Sequence, residues 1–468
     1  MAKTLLTFCY QTSSTAVIQQ KNIILSAIIR PRKICLLTYS QLVNLNLHTI
    51  KKNYQVDLAE ILIFFFTVLF FLPNTGLDGD IYCWISWSTF FTSAPFTKVY
   101  SSGYINYPPF FLYFLKFFSV IFGSEAAIKT NINWLKIVAF IFDLLPLVVL
   151  FRFFRNSTYL SWVKYLLLFN IGYLYNSIYW GQVDSIHNAF IAMACLFLYQ
   201  RPLLAASLLV FALNSKLQTI SILPVFAIAF IPYVRSDKFN IFRLAVAGIV
   251  TQAVLLSPFL LYGGLRDFAK MAVSSVGYYP VLSMNAFNFW YLFVPGDLGM
   301  VSNKLPFLGI TYQTWGVILF FGAAVLAILP LFILSLTKTK DQFKDHHSIA
   351  FLALTAGLTI LIFFYFNTEM HERYSHGAMI LFFVYGVFTK KMDLFLLLSV
   401  VYLLSLDLVL KALNFNYTAF YFQPVFLSVF YLLVILLAFF RVYKLSGTLG
   451  LEQSFGLIKK LSVNLFAK

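Results

Sequence analysis

The chain has 468 residues, of which 60% are hydrophobic and 11% are charged, and its mean hydropathy is +0.82. Apolar stretches of near-spanning length recur almost from end to end, which is typical of a polytopic α-helical membrane protein and excludes a large soluble domain. The formal net charge is +17, but Lys and Arg occur in short clusters between apolar runs, so the charge indicates membrane orientation and not a nucleic-acid partner.

The first 56 residues carry several basic residues and no Asp or Glu. We expect a basic cytosolic tail here, with a targeting segment or a mis-assigned start codon as the alternative. Lys51 and Lys52 directly precede the first apolar run, which places this end on the cytosolic side. The predicted organisation that follows is an N-terminal catalytic transmembrane module over 57–262, an external loop over 263–313, a C-terminal transmembrane module over 314–441 and a cytosolic tail over 442–468.

Continuous apolar runs such as 61–71 and 427–440 favour helices over the alternating segments of a barrel. They predict an all-α, polytopic helical bundle with about twelve transmembrane helices, some of them short enough to be broken. The predicted spans are 58–73, 134–151, 160–176, 184–200, 202–215, 217–233, 242–262, 314–336, 349–366, 376–388, 394–410 and 422–441.

One further segment, led by Pro108 and Pro109 and running to Phe122, is as apolar as a span. If it crossed the membrane, the basic clusters of the later loops would all face outward, whereas an interfacial position keeps them on the cytosolic side. We therefore expect an external, membrane-parallel helix that the two prolines begin, with Tyr107 and neighbouring tyrosines at the aromatic interface.

With this topology, five polar sets fall on the external membrane face. Ionisable groups at membrane depth are costly, so their convergence predicts a single active cavity. The sets are Asp78 with Asp80, the run 180–184, the run 214–218, the run 285–290 and the run 369–374.

Asp80 is the candidate catalytic group, because a carboxylate at a cavity floor can accept a proton from an incoming hydroxyl and activate it as a nucleophile. The alternative is a solvated carboxylate at the start of a loop. His371 and Arg373 form a natural clamp for a phosphate group, with an internal salt bridge to Glu372 as the alternative. Lys216 supplies a second positive charge in this interpretation, and its alternative is a lysine that snorkels to the interface.

Asp143 and Asp407 lie inside apolar runs with no cation nearby in sequence. We expect each to form a buried ion pair with Arg or Lys from another helix, with a role in catalysis as the alternative. His187 follows Asp184 by three residues, so the two are expected to share a helix face. We expect no metal site there, because no third ligand lies close in sequence.

The order of these motifs resembles that of the polytopic GT-C glycosyltransferases. The motifs are Gly79-Asp80 with Trp87 seven residues on, Tyr107-Pro108-Pro109, Asp143, Lys216-Leu217-Gln218 with Pro224, and His371-Glu372-Arg373-Tyr374. They are most similar to the lipid-linked oligosaccharide glucosyltransferases of N-glycan assembly and their prokaryotic relatives, over about residues 58 to 390.

The resemblance implies an inverting transfer of a hexose from a polyprenyl-phosphate carrier to a hydroxyl of a lipid-linked or glycan acceptor at the non-cytosolic face. It gives Asp80 the role of general base and places His371, Arg373 and Lys216 near the donor phosphate. No cofactor or metal is expected. The residues expected to support the site or bind substrate are Asp78, Trp87, Tyr107, Gln182, Asp184, Gln218 and Glu372.

The chain departs from the eukaryotic pattern in two places. The residues after Asp80 lack the acidic and basic neighbours of the eukaryotic motif, so we do not expect acceptor recognition to carry over. The run Trp180-Gly181-Gln182-Val183-Asp184 stands where eukaryotic members carry His-Phe-Gln-Tyr-Asn, and it looks more like bacterial or GPI-type mannosyltransferases. The sugar is therefore left open between glucose and mannose. We expect a bacterial or archaeal plasma membrane, or the endoplasmic reticulum membrane in a eukaryote, with both termini cytosolic.

Two other function classes compete with the transferase. A twelve-helix secondary transporter or lipid-linked glycan flippase suits the span count, but a transporter predicts two related halves and the sequence shows no internal repeat. A scaffold protein would leave the set around Arg373 without a purpose.

Overall fold

The computed structural model of the protein describes residues 57–154, 158–275 and 277–457. These residues fall into two units. The described part of the smaller unit is residues 57–63, which are helical. Every feature discussed below belongs to the larger unit. The predicted basic tail over 1–56 and the end of the predicted C-terminal tail, 458–468, lie outside the described residues.

The larger unit is built almost entirely of α-helices. In chain order these are α1 (Asp78–Ser93), α2 (Pro109–Phe122), α3 (Glu125–Asn131), α4 (Lys136–Phe153), α5 (Thr158–Leu168), α6 (Ile171–Leu174), α7 (Asp184–Phe197), α8 (Pro202–Ser215), α9 (Leu223–Ala229), α10 (Ile231–Ser236), α11 (Asn240–Leu255), α12 (Ser257–Tyr262), α13 (Leu265–Ser274), α14 (Tyr312–Thr337), α15 (His346–Phe366), α16 (His376–Thr389), α17 (Asp393–Leu410) and α18 (Pro424–Thr448). Two short strands, β1 (Pro306–Phe307) and β2 (Ile310–Thr311), pair as an antiparallel hairpin.

Six helical segments of the described chain are long and apolar enough to cross a membrane. They are Glu125–Phe153, Leu217–Ser236, Tyr312–Thr337, His346–Phe366, Asp393–Leu410 and Pro424–Thr448. Five further apolar helices are shorter, and a helix of 14 residues such as α7 spans only about 21 Å of a core of about 30 Å. The chain is thus an all-α protein with the helices of a multi-pass membrane protein, and the count of about twelve spans stays a prediction.

Several predicted spans are broken helices, as their short lengths suggested. The predicted span 160–176 divides between α5 and α6, where the Asn170 side chain accepts a hydrogen bond from the Tyr173 N–H and starts a new helix. The span 217–233 begins as a 3₁₀ helix (Leu217–Ile222) and continues as α9 and α10, with Pro224 and Pro232 in their first turns. Proline lacks the N–H of a continuing helix, so each break has a local cause.

The proline-led segment forms α2, as predicted, with Pro108 as its N-cap and Pro109 in its first turn. Its end is a left-handed Gly123. The helix packs on α1, where the Phe111 and Trp84 rings lie 5.0 Å apart. Its predicted position in the membrane interface stays a prediction.

The predicted external loop 263–313 is a folded segment. It contains α13, the hairpin and a small hydrophobic cluster of Leu282, Trp290 and Leu298. The Trp290 indole donates to the Phe366 carbonyl over 3.1 Å, which ties this loop to the end of α15. The loop is therefore held against the helical core close to the turn that carries Arg373.

Candidate functional site

Asp80 lies in the first turn of α1 and is held in place by a tryptophan from a distant segment. The Trp180 indole N–H donates to Asp80 Oδ2 over 2.8 Å, and the Asp80 side chain keeps 20% of its surface exposed. Its Oδ1 atom lies 4.0 Å from Arg373 Nη2. Asp78, in the same turn, is exposed and makes no such contact with the described residues.

A buried lysine that the sequence analysis overlooked fixes the loop before α1. Lys136 is 3% exposed, and its ammonium donates to the carbonyls of Pro73 and Thr75 at 2.7 Å each. The Thr75 hydroxyl in turn donates to the Tyr179 carbonyl over 2.6 Å. The only signal in the sequence was a lysine at the start of an apolar run, which is indistinguishable from an interfacial anchor.

A π-helical turn presents the run 180–184 to the site. Residues Tyr175–Tyr179 form this turn, and its wider winding ends at Trp180, whose N–H bonds the Tyr175 carbonyl over 2.9 Å. Such insertions of an extra residue into a helix recur at functional sites. Gly181 follows with φ +79°, and its carbonyl accepts a 3.1 Å hydrogen bond from the Trp84 indole.

The ionised groups form one buried cluster. Arg373 Nη1 lies 2.7 Å from Glu372, its Nε lies 3.7 Å from Asp184, and its third carboxylate neighbour is Asp80. Lys216 donates to Asp184 Oδ1. The cluster therefore joins residues from four of the five predicted polar sets, and it places three carboxylates beside two cations. In the part of the chain that the structure describes, no three His, Cys, Asp or Glu residues are grouped to hold a metal ion.

Burial and neighbouring charges shift the pKa values of His371, Glu372 and Arg373. Burial opposes the charge of Arg373, but Asp80, Glu372 and Asp184 outweigh it and hold the Arg373 pKa well above its ordinary value. Burial raises the pKa of Glu372, although Arg373 opposes the shift. Burial, aided by the charge of Arg373, holds the pKa of His371 well below its usual value, so the imidazole is neutral near pH 7.

The internal salt bridge weighed for this turn is present, but it accounts for only one of the three carboxylates around Arg373. Lys216 is 7% exposed, so it does not snorkel towards solvent. Because Asp184 already pairs with Lys216, a phosphate at this lysine would have to compete with that carboxylate.

Aromatic rings form one wall of the cluster. The Lys216 ammonium lies 5.7 Å from the centre of the Tyr107 ring and 5.2 Å from that of Tyr374. Trp84 and Trp87 pack on the other side of Tyr107, with ring centres 5.5 and 5.4 Å from it. Trp87 is 3% exposed, so it supports the Tyr107 ring by packing and offers almost no surface to a ligand.

Two glutamines flank the cluster in different ways. Gln182 is fully buried, and neither atom of its amide finds a hydrogen-bond partner among the described residues. A buried amide without hydrogen-bond partners costs about 1–3 kcal/mol. An unpaired amide of this kind is typical of a position where a ligand or a water molecule binds. Gln218 lines a neighbouring small cavity together with His187, Thr219 and Tyr374.

The predicted partners of the two helix-embedded acids are wrong. Asp143 accepts a hydrogen bond from the Ser177 hydroxyl and lies 3.6 Å from His376 Nε2. Asp407 accepts from the hydroxyls of Tyr175 and Tyr417, the second over 2.7 Å. Tyrosine hydroxyls therefore hold Asp407, and a serine hydroxyl holds one oxygen of Asp143, where Arg or Lys was expected. The other oxygen of Asp143 has no hydrogen-bond partner among the described residues.

The polar run 285–290 makes packing contacts and is not part of the charged cluster. Asn288 donates to the Asn367 carbonyl over 3.2 Å, and Trp290 bonds the end of α15 as described above. Asn285 has φ +59° and pairs through its backbone with His371, which fixes the imidazole-bearing turn. The structure thus brings together Asp80, Tyr107, Asp184, Lys216, His371, Glu372 and Arg373, and leaves Asp78 outside.

No protein-family model matches this chain, and no curated protein sequence matches it.

Proposed function

We propose that the protein is a GT-C-like integral-membrane glycosyltransferase that moves a hexose from a polyprenyl-phosphate donor to a hydroxyl of a lipid-linked or glycan acceptor. The observation that carries the proposal is the pairing of Asp80 with Arg373. A partly exposed carboxylate, fixed by Trp180, faces a buried guanidinium across 4.0 Å. This juxtaposition offers a base for an incoming hydroxyl next to a fixed cation for a phosphate.

The chemistry balances with these groups alone. The Asp80 carboxylate takes the proton of the acceptor hydroxyl, and the acceptor oxygen forms a bond to the anomeric carbon on the face opposite the phosphate. The bond between the anomeric carbon and the phosphate oxygen breaks, and the polyprenyl phosphate leaves with the electron pair. Displacement from the opposite face inverts the anomeric configuration.

Arg373 is the proposed electrostatic partner of the departing phosphate. Its charge is fixed before the reaction starts, so little reorganisation is needed as negative charge develops on the leaving oxygen. His371, neutral near pH 7, has the role of a hydrogen-bond donor to the same phosphate. Lys216 contributes through Asp184, since the pair it forms with that acid holds the second carboxylate close to Arg373.

The direct test is transfer by the purified protein. It is incubated in parallel with polyprenyl-phosphate glucose and polyprenyl-phosphate mannose in lipid nanodiscs, with short alkyl glycosides as acceptors. The proposal predicts a glycosylated product of inverted anomeric configuration from one of the two donors. Movement of an intact donor across vesicle membranes without any transfer would support the flippase alternative and contradict the proposal.

A further inference from the structure

A tyrosine from the folded loop overhangs the site. The Tyr279 ring lies 5.4 Å from the His371 ring in an edge-on arrangement, and 40% of Tyr279 stays exposed. Burial raises the pKa of the Tyr279 hydroxyl, and the charges of Arg373 and Asp80 also act on it. Tyr279 is therefore partly exposed beside His371 and within electrostatic reach of the proposed base.

A strained glutamate holds this tyrosine in place. Glu369 adopts φ +63°, a conformation that is uncommon for a residue with a side chain. Asn303 donates to its carboxylate over 2.6 Å. Burial raises the pKa of this carboxyl, and Asn303 and the backbone of Tyr279 and Gly277 oppose the shift. A residue other than glycine in this left-handed backbone conformation destabilises the folded state by about 1–3 kcal/mol. Such a conformation is kept only where the surrounding structure enforces it.

The consequence is a fixed geometry between two segments far apart in sequence. Glu369 lies two residues before His371, and its own N–H donates to the Val281 carbonyl over 3.2 Å. The loop 277–281 and the turn that carries Arg373 therefore behave as one assembly. A ring that is both exposed and immobilised beside reactive groups is suited to bind a flat, partly apolar ligand face at low entropic cost.

We propose that Tyr279 is the platform for the acceptor, that the acceptor binds through a sugar ring, and that Glu369 is the positioning residue for this platform. A hexose has an apolar face of C–H groups that packs on an aromatic ring and a rim of hydroxyls. Stacked on Tyr279, such a ring can direct one hydroxyl towards Asp80. A serine or threonine side chain of a polypeptide lacks that face, so a glycan is favoured as the acceptor. This inference rests on the proposed transferase function.

An alternative use for an exposed tyrosine is anchoring in the membrane interface. Tyr262 provides the comparison within the same protein. It is 79% exposed at the end of α12 and has no aromatic contact with His371 among the described residues. Anchoring predicts that Tyr262 and Tyr279 are equivalent, whereas a sugar platform predicts that only Tyr279 affects sugar binding.

The test is sugar binding without turnover. Methyl α-mannoside and methyl α-glucoside are titrated into the full chain in nanodiscs, and saturation-transfer NMR reports the bound fraction. We expect wild type to bind at least one of them. Tyr279→Ala should weaken that binding at least fivefold, Tyr279→Phe should preserve it, and Tyr262→Ala should leave it unchanged. Glu369→Gln should weaken sugar binding by a smaller factor and leave donor binding intact.

Equal sugar binding by wild type and Tyr279→Ala, or no sugar binding by wild type, would overturn the inference. Equal losses of stability in Tyr262→Ala and Tyr279→Ala, with sugar binding unchanged, would overturn it in favour of anchoring. Because the assay needs no donor, a failure of hexose transfer counts against the proposed function and is distinguishable from a failure of the platform.

Discussion

Trp180 and Asp80, a hundred positions apart, are joined by a 2.8 Å hydrogen bond from indole to carboxylate. The bond occupies one oxygen of Asp80 and leaves the other towards Arg373. It ties the first turn of α1 to the end of the π-helical turn. The orientation of the proposed base thus depends on a residue that carries no charge.

Replacing Trp180 with Phe tests this dependence. The ring stays but the donor is lost, and one hydrogen bond to a charged group is worth about 1.5–3 kcal/mol. We expect kcat to fall by about tenfold or more while the KM for the donor stays unchanged. Steady-state kinetics measure both, with Trp162→Phe, at a 77% exposed position, as the control. An unchanged kcat for Trp180→Phe would show that the indole hydrogen bond to Asp80 does not contribute to the reaction.

Arg373 is predicted to be more sensitive to loss of charge than to change of shape. Arg373→Gln leaves Glu372 buried without its cation and leaves Asp184 with Lys216 alone. This change should cost about 3–5 kcal/mol and reduce the yield of folded protein. Arg373→Lys keeps the charge but loses the planar fork, so we expect a folded protein whose donor KM is about tenfold higher.

Thermal unfolding in detergent and donor titrations distinguish these two effects. Arg243→Lys is the matched control, since Arg243 lies in an exposed pair with Asp237. If Arg373→Gln were as stable as wild type and bound donor equally well, neither the buried ion cluster nor the phosphate clamp would hold.

The pH dependence of stability should carry a signature of His371. Its pKa in the folded protein lies well below the ordinary value of about 6.5 that it has in the unfolded chain. Between these two values the unfolded state binds more protons, so the stability falls as the pH falls below about 6.5. We expect the Tm of wild type to drop more than that of His371→Gln when the pH is lowered from 7 to 5. Parallel curves for the two proteins would show that the imidazole is not held neutral by the fold.

Asp407 should behave as a structural acid. Asp407→Asn weakens the hydrogen bonds from Tyr175 and Tyr417, and we expect a loss of about 1–3 kcal/mol in stability. The KM for the donor and the kcat of the folded fraction should stay near those of wild type. The Tm reports the loss of stability, and a measurement of the active fraction gives the kcat of the folded protein alone. A selective loss of kcat would place Asp407 in the reaction after all.

Local sequence patterns predicted much of the secondary structure, because prolines and apolar runs determine the conformation of the residues next to them. Pro108 and Pro109 predicted the start of α2, and apolar runs predicted α14 and α15 to within a few residues. The break in the predicted span 160–176 occurs at Asn170, and those in the span 217–233 occur at Pro224 and Pro232, which lack the N–H of a continuing helix. The number of membrane crossings is harder to predict, because helices such as α7 are apolar but short.

The site was predictable as a set of residues but not as a network. Rare charges in an apolar chain marked Asp80, Asp184, Lys216 and Arg373, since such groups are retained only at a cost. Their pairing depends on tertiary packing, which no local pattern encodes. Lys136 was missed because its two carbonyl partners belong to a loop over sixty positions away. The expected cation for Asp143 was wrong because its neighbours, Ser177 and His376, come from distant segments that no local pattern brings together.

Asp80 is the proposed base, and Asp80→Asn replaces its carboxylate with an amide that cannot accept the proton of the acceptor hydroxyl. The variant keeps an oxygen for the Trp180 hydrogen bond, so the fold and donor binding should persist. Hexose transfer from the active polyprenyl-phosphate donor is measured beside Asp267→Asn, a control at an exposed carboxylate on α13. We predict a loss of about 10²–10⁴-fold in kcat for Asp80→Asn and none for the control. Transfer by Asp80→Asn at a near wild-type rate would show that Asp80 is not the base of the reaction.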